Sequence, residues 1–132
     1  KYVSPALAAI CLVLFSTCSN AQNDSTKTEL SPTEFSTQIN TMPDEVLIDV
    51  RTPGEFAAGH LQNAKNIDWN GAAFESEVAQ LDKEKPLLVY CQSGRRSDAA
   101  ADKMRAMGFK NVLELDGGFA GWRGAGMPVA GE

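Results

Sequence analysis

Three short apolar runs set the tightest limit on what this chain can fold into: residues 46–50 (Val-Leu-Ile-Asp-Val), 87–90 (Leu-Leu-Val-Tyr) and 112–115 (Val-Leu-Glu-Leu). Runs this short, rich in aliphatic residues and nearly free of polar alternation, become strands buried on both faces. Such strands need a helical layer above and below their sheet. The segments between the runs carry helix signals, so the pattern predicts an α/β domain: a central, mostly parallel sheet with helices on both faces.

The helix signals are local and chemical. Ser31-Pro32-Thr33-Glu34 is a capping box with proline at the first helical position, and Phe35 and Ile39 give the following helix an apolar side. Met42-Pro43-Asp44 stops it. Residues 53–58 fit a turn or two of helix before Gly59-His60 turns the chain, and residues 64–67 suggest a further short strand. A helix is expected over residues 75–81, ended by the charged run 82–85 and Pro86. Another is expected over 97–107, with Ala99, Ala100, Met104 and Met107 on one side, Gly108 as its cap and Phe109 packing back. Gly117-Gly118 should break the third strand. No internal repeat is present.

Length and composition narrow the class. The chain's 132 residues suffice for one domain with a real core and not for two. With 43% hydrophobic and 22% charged residues, it is ordinary globular material. The net charge of −5, without clustered Lys and Arg, excludes a nucleic-acid-binding footprint.

The first 21 residues read as an address. Lys1-Tyr2 precedes an apolar run over residues 3–15 that is shorter than the roughly 20 residues of a membrane-spanning helix. Phe15-Ser16-Thr17-Cys18 resembles a bacterial lipobox, in which Cys18 would be lipidated. Ser19-Asn20-Ala21 alternatively offers ordinary cleavage before Gln22; the lipoprotein reading is preferred. The polar residues 22–30 read as a flexible tether. The chain thus divides into a signal or lipoprotein segment (1–21), a tether (22–30) and a globular domain (31–132). That implies export to the periplasm and membrane tethering through lipidated Cys18.

The chemistry concentrates in Tyr90-Cys91-Gln92-Ser93-Gly94-Arg95-Arg96-Ser97. A cysteine stands at the carboxyl end of a buried strand, a short polar loop follows, and a helix begins directly after it. Ligands of open α/β sheets bind outside the carboxyl ends of the strands. A loop curling onto a helix N-terminus aims backbone N–H groups inward, where the helix dipole adds positive potential. Arg95 and Arg96 add two cations. Such a cradle lowers the pKa of Cys91 and binds an anion presented to the thiolate, the requirement for covalent group transfer without a separate base.

Against this stands the bland alternative, a small buried cysteine beside solvent-exposed arginines. The conjunction of strand, glycine-containing loop, arginine pair and helix start outweighs it. Ser97 carries two readings, helix cap or ligand contact, and Ser93 is read as a loop residue or a ligand. Asp49 and Arg51, at the end of the first run, either orient the loop or line its mouth, or form a structural ion pair. His60 is read as structural, and Trp69 and Trp122 as core or rim. The chain has three cysteines, Cys11, Cys18 and Cys91, none in metal-ligand spacing. No metal or cofactor is implied.

The segment from Cys91 to Arg96 resembles the active-site loop of the rhodanese family. Two other stretches agree with family signatures: Phe56-Ala57-Ala58-Gly59-His60-Leu61-Gln62-Asn63-Ala64, following Asp49-Val50-Arg51 and Glu55, and Leu115-Asp116-Gly117-Gly118-Phe119 through Trp122. Gln62-Asn63 stands where Pro-Gly is usual, and Gly121 where an acidic residue is common. The resemblance covers residues 31–129. It implies the rhodanese-like α/β fold and a Cys91 persulfide, with Gln92, Ser93, Gly94, Arg95, Arg96 and Ser97 around the substrate. It also implies a small anionic sulfur donor such as thiosulfate and a thiol or cyanide acceptor.

Two other function classes compete. Dual-specificity cell-cycle phosphatases share the fold but resemble it with a loop one residue longer; the shorter loop here favours sulfur. A non-catalytic binding or regulatory module would usually lack the cysteine, which is present.

Overall fold

The computed structural model describes residues 28–132. The expected address segment, most of the tether and Cys18 lie outside the described residues. Ten elements follow one another: β1 (Glu29–Leu30), α1 (Pro32–Thr41), β2 (Val46–Asp49), α2 (Pro53–Ala57), β3 (Lys65–Asn66), α3 (Phe74–Ala79), β4 (Leu87–Tyr90), α4 (Arg95–Ala106), β5 (Val112–Leu115) and α5 (Gly118–Gly124). The sheet runs β1-β5-β4-β2-β3, and every pairing is parallel.

The three apolar runs form the centre of this sheet, as their composition requires. Because successive side chains alternate across a strand, β4 feeds two cores. Leu87, Val89 and then Cys91 point to a core closed by Phe74 and Val78 of α3 and by Ala100, Ala101 and Met104 of α4. Leu88 and Tyr90 point to the other, closed by Phe35 of α1 and by Phe119 and Trp122 of α5. Helices therefore cover both faces. The capping box of α1 forms in both directions: Glu34 N–H donates to Ser31 Oγ at 3.3 Å and Ser31 N–H to Glu34 Oε2 at 2.8 Å, a pairing worth about 1 kcal/mol.

Four expectations are corrected. Glu29 and Leu30 are not tether: they form an edge strand on β5, with Asp116 N–H donating to Leu30 O at 2.8 Å. Helix α4 begins at Arg95, because Gly94 takes φ 111° and serves as its left-handed cap. Ser97 therefore lies inside the first turn and is not the cap. The buried side of α4 holds Ala101 instead of Ala99. Finally, Gly117-Gly118 ends β5 but also opens α5, which the glycine-rich sequence concealed. At the departure from the usual Pro-Gly, Asn63 adopts φ 66°, so the left-handed turn survives without glycine.

Candidate active site

Cys91 follows the last residue of β4 at the carboxyl edge of the sheet and is 1% exposed. The chain then bends over residues 92–94 into α4. The bend turns amides onto the sulfur, and Gly94 N–H donates to Cys91 Sγ at 3.1 Å. Burial pushes the thiol pKa up. Hydrogen bonds from the Ser97 hydroxyl and from the amides of Ser97, Gly94 and Ser93 more than reverse this, leaving it below the ordinary thiol value. Ser97 is fully buried, and its single hydroxyl proton has two acceptors, the Cys91 sulfur and Gly94 O at 3.0 Å. Its hydroxyl thus faces the Cys91 sulfur from inside the first turn of α4. Cys91 is the free cysteine among the described residues.

The loop is clamped from behind by α5. Phe119 N–H donates to Cys91 O at 2.7 Å and Ala120 N–H to Gln92 O at 3.1 Å. The approach leaves no room at Gly118 for a side chain, since a Cβ there would sit 2.6 Å from Cys91 O.

Asp49 and Arg51 form an ion pair whose arginine also reaches the loop. Both are buried, at 0% and 2% exposure. Arg51 Nη2 meets Asp49 Oδ2 at 2.8 Å and Gly59 O at 2.6 Å, and Nη1 reaches Gln92 Oε1 at 3.2 Å. Its guanidinium carbon stands 4.2 Å from the Phe119 ring centre, a cation–π contact. Arg51 thus joins β2, the Gln92 side chain and α5, and does not line the mouth. Burial works against the Arg51 charge, and Asp49 more than restores it. The Tyr90 hydroxyl, also bonded to Asp49, accepts Leu61 N–H at 3.0 Å; burial first, then the Asp49 charge, push its pKa up and keep it protonated.

The arginine pair does not supply two free cations. Arg95 is exposed and forms no ion pair with another described residue. It borders a cleft of about 330 Å³ with Ser93, Gly94 and Ser97, which is also lined by Glu29, Asp98, Glu114 and Asp116. Arg96 is held by Glu55: Nη1 meets Oε1 at 2.7 Å and Nη2 meets Oε2 at 2.9 Å. That bidentate bond holds the Glu55 carboxyl at about 2 against an ordinary 4.5, and correspondingly raises Arg96. Glu55 was not among the sequence candidates for the site. Its signal was the second capping box, Thr52-Pro53-Gly54-Glu55, in which Thr52 Oγ1 takes Glu55 N–H at 3.3 Å and the carboxylate oxygen that takes Thr52 N–H at 3.4 Å also takes the Arg96 bond.

His60 is structural as expected: it stacks on Phe56 with ring centres 3.9 Å apart, and Nδ1 meets Phe56 O at 2.9 Å. Trp122 is buried, and its indole N–H donates to Pro128 O at 2.7 Å; Trp69 is half-buried against Phe74. Among the described residues, Glu29, Asp98 and Glu114 bring carboxylate oxygens within 4.8 Å of one another. Glu114 is already matched by Arg105 at 2.9 Å.

The chain is similar to known proteins. A family model described as Rhodanese-like domain matches residues 31–125. The thiosulfate sulfurtransferase GlpE of Pseudomonas putida is 35% identical over 92 residues, covering 70% of this chain and 82% of that protein. A sulfurtransferase of Allochromatium vinosum is 29% identical over 101 residues, 76% of this chain and 92% of its own. A solved structure of a rhodanese-related protein from Thermoplasma volcanium superposes with TM-score 0.69 at 27% identity, covering 79% of this chain and 98% of that one.

Proposed function

Because the chain belongs to the rhodanese-like domain family, we propose that it is a sulfurtransferase that carries sulfane sulfur as a persulfide on Cys91, between a donor such as thiosulfate and a thiol or cyanide acceptor. The observation that carries this reading is the sulfur of Cys91 ringed by the Ser93, Gly94 and Ser97 amides and the Ser97 hydroxyl, which together lower its pKa.

The steps follow from that ring. The Cys91 thiolate attacks the outer sulfur of thiosulfate; the S–S bond breaks, its electron pair leaves with sulfite, and Cys91 holds a persulfide. The terminal persulfide sulfur then bears the negative charge and takes the amide hydrogen bonds that served the thiolate. Acceptor thiolate or cyanide attacks that sulfur and returns Cys91 as thiolate. No general base is assigned, since the hydrogen bonds on the sulfur favour its thiolate form. The phosphatase alternative calls for a loop one residue longer than the one that Arg96 closes, at the fifth position after Cys91.

A thiocyanate-forming assay with thiosulfate and cyanide tests the reading. Activity in the wild type and its loss in a folded Cys91→Ser variant support it; turnover near the wild-type rate in that variant overturns it. We further propose that the domain is exported and tethered to a membrane through Cys18, on the strength of the apolar run 3–15 and the residues just before Cys18. Release of the protein from membranes by Cys18→Ala supports the tether, whereas a soluble mature form beginning at Gln22 overturns it.

A further inference from the structure

We propose that Glu55 sets the charge preference of the sulfur donor: by occupying Arg96, it favours singly charged donors over dianions. This rests on the sulfurtransferase reading and adds the substrate class. Among the described residues Arg96 is the loop arginine whose guanidinium interacts with the Cys91 charge, and that charge is paired with the Glu55 carboxylate through both terminal nitrogens. The pair is only about a quarter to a third exposed. Arg51 is likewise neutralised by Asp49, in a fully buried pair. The cation left over is Arg95, which faces a cleft walled by Glu29, Asp98, Glu114 and Asp116.

A dianionic donor therefore meets the loop amides and a cation already balanced by carboxylates. Arg96 can meet it only with its remaining N–H groups, its charge still balanced by the Glu55 carboxylate, whose pKa is held at about 2. A monoanion needs no further cation, because the amides and the helix start supply about half a charge. Like-charge crowding of this kind is how a site discriminates against a wrong partner as well as for a right one.

Two donors of different charge test this, each compared between the wild type and the variants so that their different leaving groups cancel. Thiosulfate is a dianion; methanethiosulfonate replaces one of its oxygens by a methyl group and is a monoanion. With either, the Cys91 thiolate takes the outer sulfur and the S–S electron pair leaves, with sulfite in one case and methanesulfinate in the other. Glu55→Gln keeps an oxygen for the Thr52 capping bonds and frees Arg96. It should raise kcat/KM for thiosulfate about tenfold, the scale of one part-exposed charge-assisted contact, and for methanethiosulfonate by less than about threefold. Adding Arg96→Gln to Glu55→Gln should remove the gain. Should Glu55→Gln not fold, Arg96→Gln alone leaves Glu55 unopposed and should lower thiosulfate turnover more than methanethiosulfonate turnover. Equal changes for both donors, or a fall for thiosulfate in Glu55→Gln, overturn the charge preference while leaving sulfur transfer intact. Failure of both donors to sulfurate wild-type Cys91 would instead remove the reading beneath it.

Discussion

Gly118 packs against the carbonyl of Cys91 so closely that a Cβ on it would lie 2.6 Å from that oxygen and 2.7 Å from the Gln92 carbonyl carbon and oxygen. With φ 60°, it also occupies a backbone region that side chains disfavour. Gly118→Ala must push α5 off the loop and loosen the Phe119 N–H bond to Cys91. We expect a stability loss of about 1–3 kcal/mol in urea melts. Sulfur transfer should fall on the order of a hundredfold, because the sulfur leaves its amide ring by a fraction of an ångström or more. A variant with normal turnover would show that the α5 clamp does not position Cys91.

Arg51 offers a separate test of loop orientation. Arg51→Ala leaves Asp49 buried and unpaired, which should cost about 3–5 kcal/mol in chemical denaturation. Arg51→Lys keeps the charge but loses the fork that reaches Asp49, Gly59 and Gln92 together. That variant should be the more stable of the two and yet transfer sulfur more slowly than the wild type. Full activity in Arg51→Lys would reduce the residue to a point charge.

The contrast between Glu34 and Glu55 explains how much of this was legible in the sequence. Both complete capping boxes, and such boxes are written within four consecutive residues, so α1 could be placed from Ser31-Pro32-Thr33-Glu34 alone. The far end of Glu55 meets Arg96, 41 residues away, and no local pattern encodes that pairing. The central strands were readable because their burial needs a continuous apolar run. Strand β1 was not, since Glu29-Leu30 becomes a strand only by adding to the edge of β5. Helix α5 was hidden for a related reason: Gly118, Gly121 and Gly124 have poor helix propensity, and the helix is held by the burial of Phe119 and Trp122. The Cys91 loop itself was plain, but the partners of its arginines were not.

The Glu55–Arg96 pair also predicts an acid dependence. A carboxyl whose folded pKa is depressed, here to about 2 from an ordinary 4.5, contributes stability that is present above pH 4.5 and lost as the pH falls toward 2. Solvent screening of this part-exposed pair keeps the contribution near or below ~1 kcal/mol. Glu55→Gln should therefore lose less stability than the wild type between pH 4.5 and 2 in urea melts. Parallel pH profiles would show the pair to be energetically silent.

Thiol ionisation can be read directly from the pH dependence of iodoacetamide alkylation in the domain. The midpoint for Cys91 should lie below the ordinary ~8.5 of a free thiol. Ser97→Ala should move it upward, since the Ser97 hydroxyl is the foremost of the groups lowering it. An unchanged midpoint in Ser97→Ala would assign the effect to the loop amides alone.

The most direct test of the whole account is the intact mass of the purified domain after brief exposure to a sulfane donor, with thiosulfate and methanethiosulfonate used in turn, followed by peptide mapping. The account predicts the gain of a single sulfur atom, located on Cys91, absent from Cys91→Ser and removed by adding cyanide or a thiol. A protein whose mass stays unchanged with both donors, or whose added sulfur maps to a residue other than Cys91, would contradict it.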